Sequence, residues 1–163
     1  MLNATYQRWT ESLASVRDVA GVAWVLSLEP LPEVFYRRRT PVAGATGNSL
    51  GLTERGTAAP GPLVVTLLAA TWTDTADDGR MRAAARGLIG RLEEDARRLG
   101  THYPFVYLNY AADWQDPVAS YGRRSVERLR KVQRDVDPRS FFARYAPGGF
   151  KIPQPLSPER GRS

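Results

Sequence analysis

The sequence contains no cysteine, and His102 is the one histidine among its 163 residues. Without cysteine the chain can form neither a disulfide nor a thiolate nucleophile, and one histidine cannot build a metal site by itself. No apolar run approaches the ~20 residues that a membrane-spanning helix requires. The first residues lack a basic stretch followed by an apolar core, so we expect no signal peptide. We therefore expect no metal and no membrane partner, and the composition indicates no particular compartment.

Lysine is scarce as well, because all but two of the 23 basic residues are arginine. The formal net charge is +6, and a basic balance of this kind can indicate nucleic-acid binding. The arginines are not interleaved with aromatic side chains on which bases could stack. We therefore favour a solvated basic surface and expect no nucleic-acid partner, while nucleic-acid binding stays an alternative.

Apolar residues make up 42% of the chain, which is typical of a globular domain. Apolar spacings of three and four predict a first helix through Leu2, Tyr6, Trp9, Leu13 and Val16. Alternation over 22–29 predicts a strand that ends at Pro30 and Pro32, since proline donates no ladder hydrogen bond. A second strand is predicted over 63–72, and its almost wholly apolar sequence indicates burial on both faces.

A long helix should follow this second strand, starting near Asp74 and ending at Gly100. A third strand is predicted over 103–111 (YPFVYLNYA). A last helix is predicted over 125–136, because the residue before Pro138 avoids the helical region. The aromatic residues after this proline are expected to anchor a short turn on the core: Phe141, Phe142 and Tyr145.

Between these elements, residues 32–39 are expected to form one or two helical turns, and residues 40–61 a mobile, glycine-rich loop. Residues 153–163 are expected to be a disordered tail. The order of elements predicts an α+β fold, a partial and mostly antiparallel sheet with helices packed on one face. Three strands leave two open edges and one bare face. We therefore interpret residues 1–152 as part of a larger domain.

Four ordered motifs carry a family resemblance: PFVYLNYA at 104–111, WQDPVASYG at 114–122, VERLRKVQRDVDPRSFF at 126–142 and PGGFK at 147–151. Together they resemble the C-terminal berberine-like segment, about residues 104–152, of berberine-bridge-enzyme-like FAD-linked oxidoreductases, especially the fungal ones. Upstream motifs resemble the substrate domain of the same family: GVAWVLSLEPLP at 21–32, GNSLGL at 47–52 and PLVVTLLAATWTDTADDGRM at 62–81.

The resemblance implies a two-domain flavoenzyme. Its N-terminal domain binds FAD, usually through a covalent bond to a histidine, and its second domain is an antiparallel sheet, backed by helices, that covers the flavin ring and shapes the substrate pocket. This chain resembles only the later half of the second domain. We therefore expect FAD as cofactor and a small organic substrate (an alcohol, a sugar or a secondary metabolite). Activity should then need a flavin-binding domain, supplied by a partner chain or by a longer form of this polypeptide.

The resemblance also implies the site. Tyr110, the second tyrosine of the YxNY motif, matches the general base that removes a proton while hydride passes to the flavin. Asn109 matches the position closest to the flavin ring, and Tyr107 is a second candidate for cofactor binding. The residue pattern alone also allows a structural role for each: a tyrosine packed with its hydroxyl in water for Tyr110, local backbone bonding for Asn109 and a core position for Tyr107.

Two points stay open at this stage. Alternation along a strand would place Asn109 and Tyr110 on opposite faces, so they can serve one site only if the strand breaks or bulges there. Several residues of the following loop either line the pocket rim or pack the loop down, and we favour packing: Trp114, Gln115, Asp116 and Tyr121. A non-catalytic module that binds a partner through its open sheet edges is the alternative function.

Overall fold

The computed structural model describes residues 1–36, 49–52 and 61–153. The chain divides into two compact units, one formed by Met1–Leu31 with Val64–Pro104 and the other by Pro32–Leu63 with Phe105–Ser163. The loop expected over 40–61 lies mostly outside the described residues, and so does the tail expected over 153–163. No helix among the described residues is long and apolar enough to cross a membrane.

The first unit begins with helix α1, Leu2–Ser12, which a 3₁₀ turn extends over Leu13–Ser15. The predicted apolar stripe is correct in its second half, where Trp9, Leu13 and Val16 belong to the core. It is wrong in its first half, because Leu2 and Tyr6 are about two-thirds exposed. The first half of α1 buries Thr5 instead, so the face that the helix buries there differs from the predicted stripe.

Strands β1, Ala23–Leu31, and β2, Leu63–Thr71, form a two-stranded antiparallel sheet. The pairing continues past their ends, where the Thr73 backbone N–H donates to the carbonyl of Ala20 at 3.0 Å. Strand β1 runs through Pro30, which the sequence placed outside it. A strand with a single neighbour uses only one of its edges, so a proline whose missing N–H faces the other edge does not interrupt pairing.

The expected burial of β2 on both faces is wrong. Its residues alternate between half-buried and exposed, and Val64 is 54% exposed. Helices of the same unit cover one face of the sheet, where Trp24 and Leu26 of β1 lie beside Leu68 and Ala70 of β2. An apolar sequence shows that a strand can be buried on both faces, but only a second covering layer would bury it.

Helix α3, Asp78–Arg98, supplies the other half of this core. It follows a 3₁₀ turn over Thr75–Asp77, and the side chain of Asp74 accepts the backbone N–H of Ala76 at the start of that turn. The predicted apolar stripe of this helix is confirmed at its fully buried positions, Met81, Leu88 and Leu92. The α+β fold with helices on one sheet face is thus confirmed.

A buried carboxylate joins α1 to α3. Asp95 is 5% exposed and accepts hydrogen bonds from the guanidinium groups of Arg8 (Nε, 2.8 Å) and Arg98 (2.7 Å). The hydrogen bond from Arg8, reinforced by that from Arg98, lowers the pKa of Asp95 from 3.8 to about 2. The same pair raises the pKa of Arg8. The guanidinium of Arg8 bonds to both carboxylate oxygens of Asp95, and such bidentate pairing holds α1 and α3 in one relative position.

Replacing this carboxylate should make the fold less stable and less sensitive to acid. Because the folded pKa of Asp95 lies below its ordinary value, its contribution is complete above pH 3.8 and is lost as the pH falls through about 2. We expect Asp95→Asn to lower the melting temperature at pH 7 and to flatten its decline below pH 4. Thermal denaturation followed by circular dichroism measures both effects.

The matched control is Glu93→Gln, two residues before Asp95 on α3. Glu93 pairs with Arg97 at 2.8 Å, but both side chains are about half exposed, so this pair should contribute little. Equal melting temperatures for the two variants at pH 7 would contradict the role given to Asp95.

The second unit is helical in its described residues. It contains α2, Glu33–Tyr36, and 3₁₀ turns over Leu108–Tyr110 and Ala119–Tyr121. Helix α4 spans Arg123–Val136 and α5 spans Phe141–Tyr145. Helix α2 lies within residues 32–39, where helical turns were expected, and α4 ends at Val136 as predicted.

The third strand, predicted over 103–111, is absent: residues 101–107 have no regular secondary structure and Leu108–Tyr110 form a 3₁₀ turn. A strand forms only when its backbone groups pair with a neighbour. Here the backbone N–H of Val106 donates instead to the side-chain hydroxyl of Ser120 at 2.9 Å. The residues of this stretch favour β-structure, but that preference does not supply the neighbouring strand that pairing requires.

The core of the second unit is small, consisting of Val118, Tyr121 and Val126 with partly buried residues around them. The three aromatic residues expected to anchor the last turn are instead more than half exposed: Phe141, Phe142 and Tyr145. They pack chiefly against one another, with ring centroids 5.0 and 5.6 Å apart. The carboxylate of Asp137 holds the turn by accepting the backbone N–H groups of its first two aromatic residues.

Gly51 lies against the segment that leads into α4. It has a φ of +73°, and a β-carbon there would overlap the backbone carbonyl of Tyr121. Both the left-handed backbone and the close approach require glycine. The short segment 49–52 is therefore fitted onto the turn that precedes α4.

We expect Gly51→Ala to destabilise the protein by about 1–3 kcal/mol, because the clash adds to the backbone strain. Gly90→Ala is the control, since Gly90 lies inside α3 with no atom near the added carbon, and alanine there should stabilise by about 0.5–1 kcal/mol. Urea denaturation measures both changes. A Gly51→Ala variant as stable as the native chain would show that the segment does not pack as described.

Candidate functional site

The 3₁₀ turn Leu108–Tyr110 determines the geometry of the candidate site. The backbone N–H of Tyr110 donates to the carbonyl of Tyr107 at 3.0 Å, closing the turn. A 3₁₀ turn has three residues per turn, so side chains three positions apart lie on the same side. Tyr107 and Tyr110 therefore lie together, which an extended strand would not allow.

The side chains of this turn contact one another directly. The rings of Tyr107 and Tyr110 meet edge to face, with centroids 4.8 Å apart and an interplanar angle of 85°, a favoured arrangement for aromatic pairs. The amide Nδ2 of Asn109 donates a hydrogen bond to the hydroxyl of Tyr107 at 2.9 Å. The three site residues proposed from the sequence thus form one group, which we call the Tyr–Asn–Tyr cluster (Tyr107, Asn109 and Tyr110).

The cluster is open to a ligand. Tyr110 and the neighbouring Leu108 are each 37% exposed, and Asn109 is also exposed, while Tyr107 is half-buried beneath them. A hydroxyl, an amide and an apolar side chain are accessible within three consecutive residues. This combination can contact the face of a planar ring and hydrogen-bond to its polar edge.

The loop that follows the cluster fixes the segment that precedes it. The hydroxyl of Ser120 accepts the backbone N–H of Val106 and donates to the carbonyl of Pro117. One residue further, the ring of Tyr121 stacks on Phe105, with centroids 5.9 Å apart. The segment that leads into the turn is thus fixed at two adjacent positions. Sequence reasoning did not single out Ser120, and its place in the WQDPVASYG motif is the only signal that pointed toward it.

Tyr121 is 8% exposed and belongs to the core of the second unit. Burial raises the pKa of its phenol, and the nearby phenol of Tyr107 raises it further. Tyr121 therefore stays protonated and acts as a neutral packing residue beneath the cluster.

Two further residues of this loop hold its own backbone. Gln115 accepts the N–H of Ala112, and Asp116 accepts the N–H of Ala119, each at 2.9 Å. The packing interpretation is therefore confirmed for Gln115, Asp116 and the buried Tyr121. Among the residues that the structure describes, no group of three or more acidic or histidine side chains could hold a metal ion.

Removing the Ser120 hydroxyl should loosen the segment before the cluster. In Ser120→Ala the half-buried N–H of Val106 loses its acceptor, and we expect a cost of about 1–3 kcal/mol and faster hydrogen exchange at the Val106 amide. Ser49→Ala is the control, because Ser49 is exposed and its hydroxyl accepts a long 3.4 Å bond from Arg128. Exchange at Val106 that is unchanged in Ser120→Ala would contradict this support.

Comparison with curated proteins identifies fungal relatives. The chain is 36% identical over 149 residues to the FAD-dependent monooxygenase drtC of Aspergillus calidoustus, covering 90% of this chain and 27% of that protein. It is 34% identical over 137 residues to the FAD-dependent monooxygenase FUP4 of Fusarium proliferatum, covering 84% of this chain and 25% of the relative. The chain thus spans about a quarter of the length of these relatives.

A third relative has a different name. The chain is 38% identical over 156 residues to the oligopeptidase PhomG′ of Diaporthe leptostromiformis, covering 94% of this chain but 12% of that protein. The name therefore describes a polypeptide that lies mostly outside the matched region. No protein-family model matches the chain. No solved structure matches it either. The sequence relatives support a place among FAD-dependent oxidoreductases.

Proposed function

We propose that this chain forms the substrate-side part of a fungal, berberine-bridge-enzyme-like FAD-linked oxidoreductase. Its substrate is a small organic molecule with a hydroxyl group: an alcohol, a sugar or a secondary metabolite. The domain that binds the flavin lies outside these 163 residues, in a partner chain or elsewhere in a longer polypeptide. Tyr110 is the general base, and Tyr107 and Asn109 contact the cofactor.

The observation that supports this proposal most directly is the 3₁₀ turn at Leu108–Tyr110. It gathers the three residues of the YxNY motif into one accessible cluster, although a strand would have separated Asn109 from Tyr110. The same chain is similar over most of its length to proteins named FAD-dependent monooxygenases. A cluster of two phenols and an amide, in a relative of flavoenzymes, is the arrangement that the proposed reaction needs.

The chemistry of the cluster fits the isoalloxazine ring of FAD. The ring has a flat apolar face and a polar edge of alternating hydrogen-bond donors and acceptors. The Asn109 amide has both a donor and an acceptor, and the tyrosine rings offer planar surface. When bound, FAD would supply the hydride acceptor. The described residues account for contact with the ring only, so the proposal places the rest of the cofactor on the flavin-binding domain.

Tyr110 would move the proton. Oxidation of an alcohol removes a hydride from carbon and a proton from the attached oxygen, and both must leave for the carbonyl to form. Tyr110 is 37% exposed, and its phenol, in the deprotonated form, takes up that proton. General-base assistance of this kind contributes about 10²–10⁴-fold to the rate.

We expect Tyr110→Phe to slow substrate-dependent reduction of the flavin by about 10²–10⁴-fold, because phenylalanine keeps the ring contact with Tyr107 but cannot accept a proton. The assay combines this chain with a flavin-binding partner, for example the drtC polypeptide without its 149 matched residues. Loss of the flavin's visible absorbance is followed under anaerobic conditions with an alcohol or sugar panel.

Tyr103→Phe is the matched control, since Tyr103 precedes the cluster in the same segment and should leave the rate unchanged. Reduction at the native rate in Tyr110→Phe would show that the base role is wrong and would favour the non-catalytic module. The same assay separates two kinds of FAD chemistry. Direct reduction by the organic substrate supports the proposal, whereas reduction only after adding a nicotinamide coenzyme would instead favour the monooxygenase reaction named for the relatives.

A further inference from the structure

The hydrogen bond between Asn109 and Tyr107 suggests a role for the asparagine that flavin contact does not include. One N–H of its amide is given to the Tyr107 hydroxyl at 2.9 Å. Asn109 therefore binds a side chain of the cluster before any ligand arrives. Its carbonyl oxygen is the part of the amide not committed to Tyr107.

When a phenol oxygen accepts a hydrogen bond, the direction of its own O–H bond is fixed as well. A tyrosine hydroxyl has one donor and two acceptor positions, and its hydrogen prefers the plane of the ring. With the Asn109 N–H on one side of the oxygen, the hydrogen turns to the opposite side. The amide thus selects one of the two in-plane orientations of the Tyr107 O–H bond.

The same turn keeps Tyr107 next to the proposed base. The backbone bond from Tyr110 to Tyr107 and the edge-to-face contact at 4.8 Å hold the two rings together. The buried Tyr121 stacks on Phe105, two residues before Tyr107, and so supports the same segment. Tyr107 is therefore held by Asn109 through its hydroxyl and by Tyr110 through its ring.

We propose that Asn109 is a positioning residue for Tyr107, and that the oriented Tyr107 hydroxyl donates a hydrogen bond to the substrate oxygen whose proton Tyr110 removes. The inference rests on the proposed function and adds a substrate-oxygen contact to it. Tyr107 thereby selects substrates with a hydrogen-bond acceptor at the reacting carbon. Asn109 then influences the rate through Tyr107, in addition to the contact with the cofactor proposed above.

The first test uses the full chain alone. The side-chain amide resonances of Asn109 are followed by ¹⁵N NMR in the native protein and in Tyr107→Phe, with Tyr103→Phe as control. We expect the Asn109 signals to move toward those of a solvated amide in Tyr107→Phe and to stay in place in Tyr103→Phe. Signals that do not move in Tyr107→Phe would overturn the inference, because the hydrogen bond would not exist.

The second test measures coupling in the flavin-containing complex. Asn109→Ala and Tyr107→Phe are each expected to lower kcat by about five- to tenfold, the scale of one hydrogen bond, and the double variant should be no slower than either. Additive losses in the double variant would overturn the inference, because the two side chains would then act independently.

The proposed function and the role given to Asn109 are contradicted by different outcomes. If the proposed function is wrong, the native complex shows no substrate-dependent reduction of the flavin, whatever the NMR signals of Asn109 do. If only the role of Asn109 is wrong, the native complex turns over and Tyr110→Phe slows it as expected. The Asn109 amide signals then do not move in Tyr107→Phe, or the losses in kcat of Asn109→Ala and Tyr107→Phe add in the double variant.

Discussion

One backbone hydrogen bond, from the N–H of Tyr110 to the carbonyl of Tyr107, governs the candidate site. It converts an extended segment into a 3₁₀ turn and thereby changes the spacing of side chains from two residues to three. In a strand, Tyr107 and Asn109 would share one face and Tyr110 would lie on the other. In the turn, Tyr107 contacts both Asn109 and Tyr110, and the chemistry proposed for them depends on that proximity.

Elements with strong local patterns were predictable from the sequence. Strands β1 and β2 and helices α3 and α4 were placed to within a few residues, because periodicity and end signals depend only on neighbouring residues. The prediction of a strand over 103–111 was wrong because strand pairing depends on residues that are distant in the sequence. The N–H of Val106 donates instead to the hydroxyl of Ser120, fourteen positions along the chain. Composition indicates what a segment can form, while its contacts decide what it does form.

Burial was predicted less well than secondary structure, and the errors concern residues that were expected to be buried but are exposed. Val64 of β2 and Phe142 of α5 were expected inside and are more than half exposed. An apolar residue shows that burial is possible, but it does not show which element covers it. For the candidate site, the sequence and its resemblance named Tyr107, Asn109 and Tyr110, whereas no periodic signal could have shown that Asn109 donates to Tyr107. That bond depends on the detailed placement of the two side chains, which only the structure shows.

The distribution of charge narrows what the cluster can contribute to a reaction. The ion pair of Arg8 with the buried Asp95 lies in the first unit and joins two helices. The cluster itself is made of hydroxyl and amide groups, and beneath it burial keeps Tyr121 protonated. Such groups act through hydrogen bonds and proton transfer, and their effect depends on geometry held to within a fraction of an ångström. The loop contacts of Ser120 and Tyr121 are therefore as relevant to the proposed reaction as the residues that would touch the substrate.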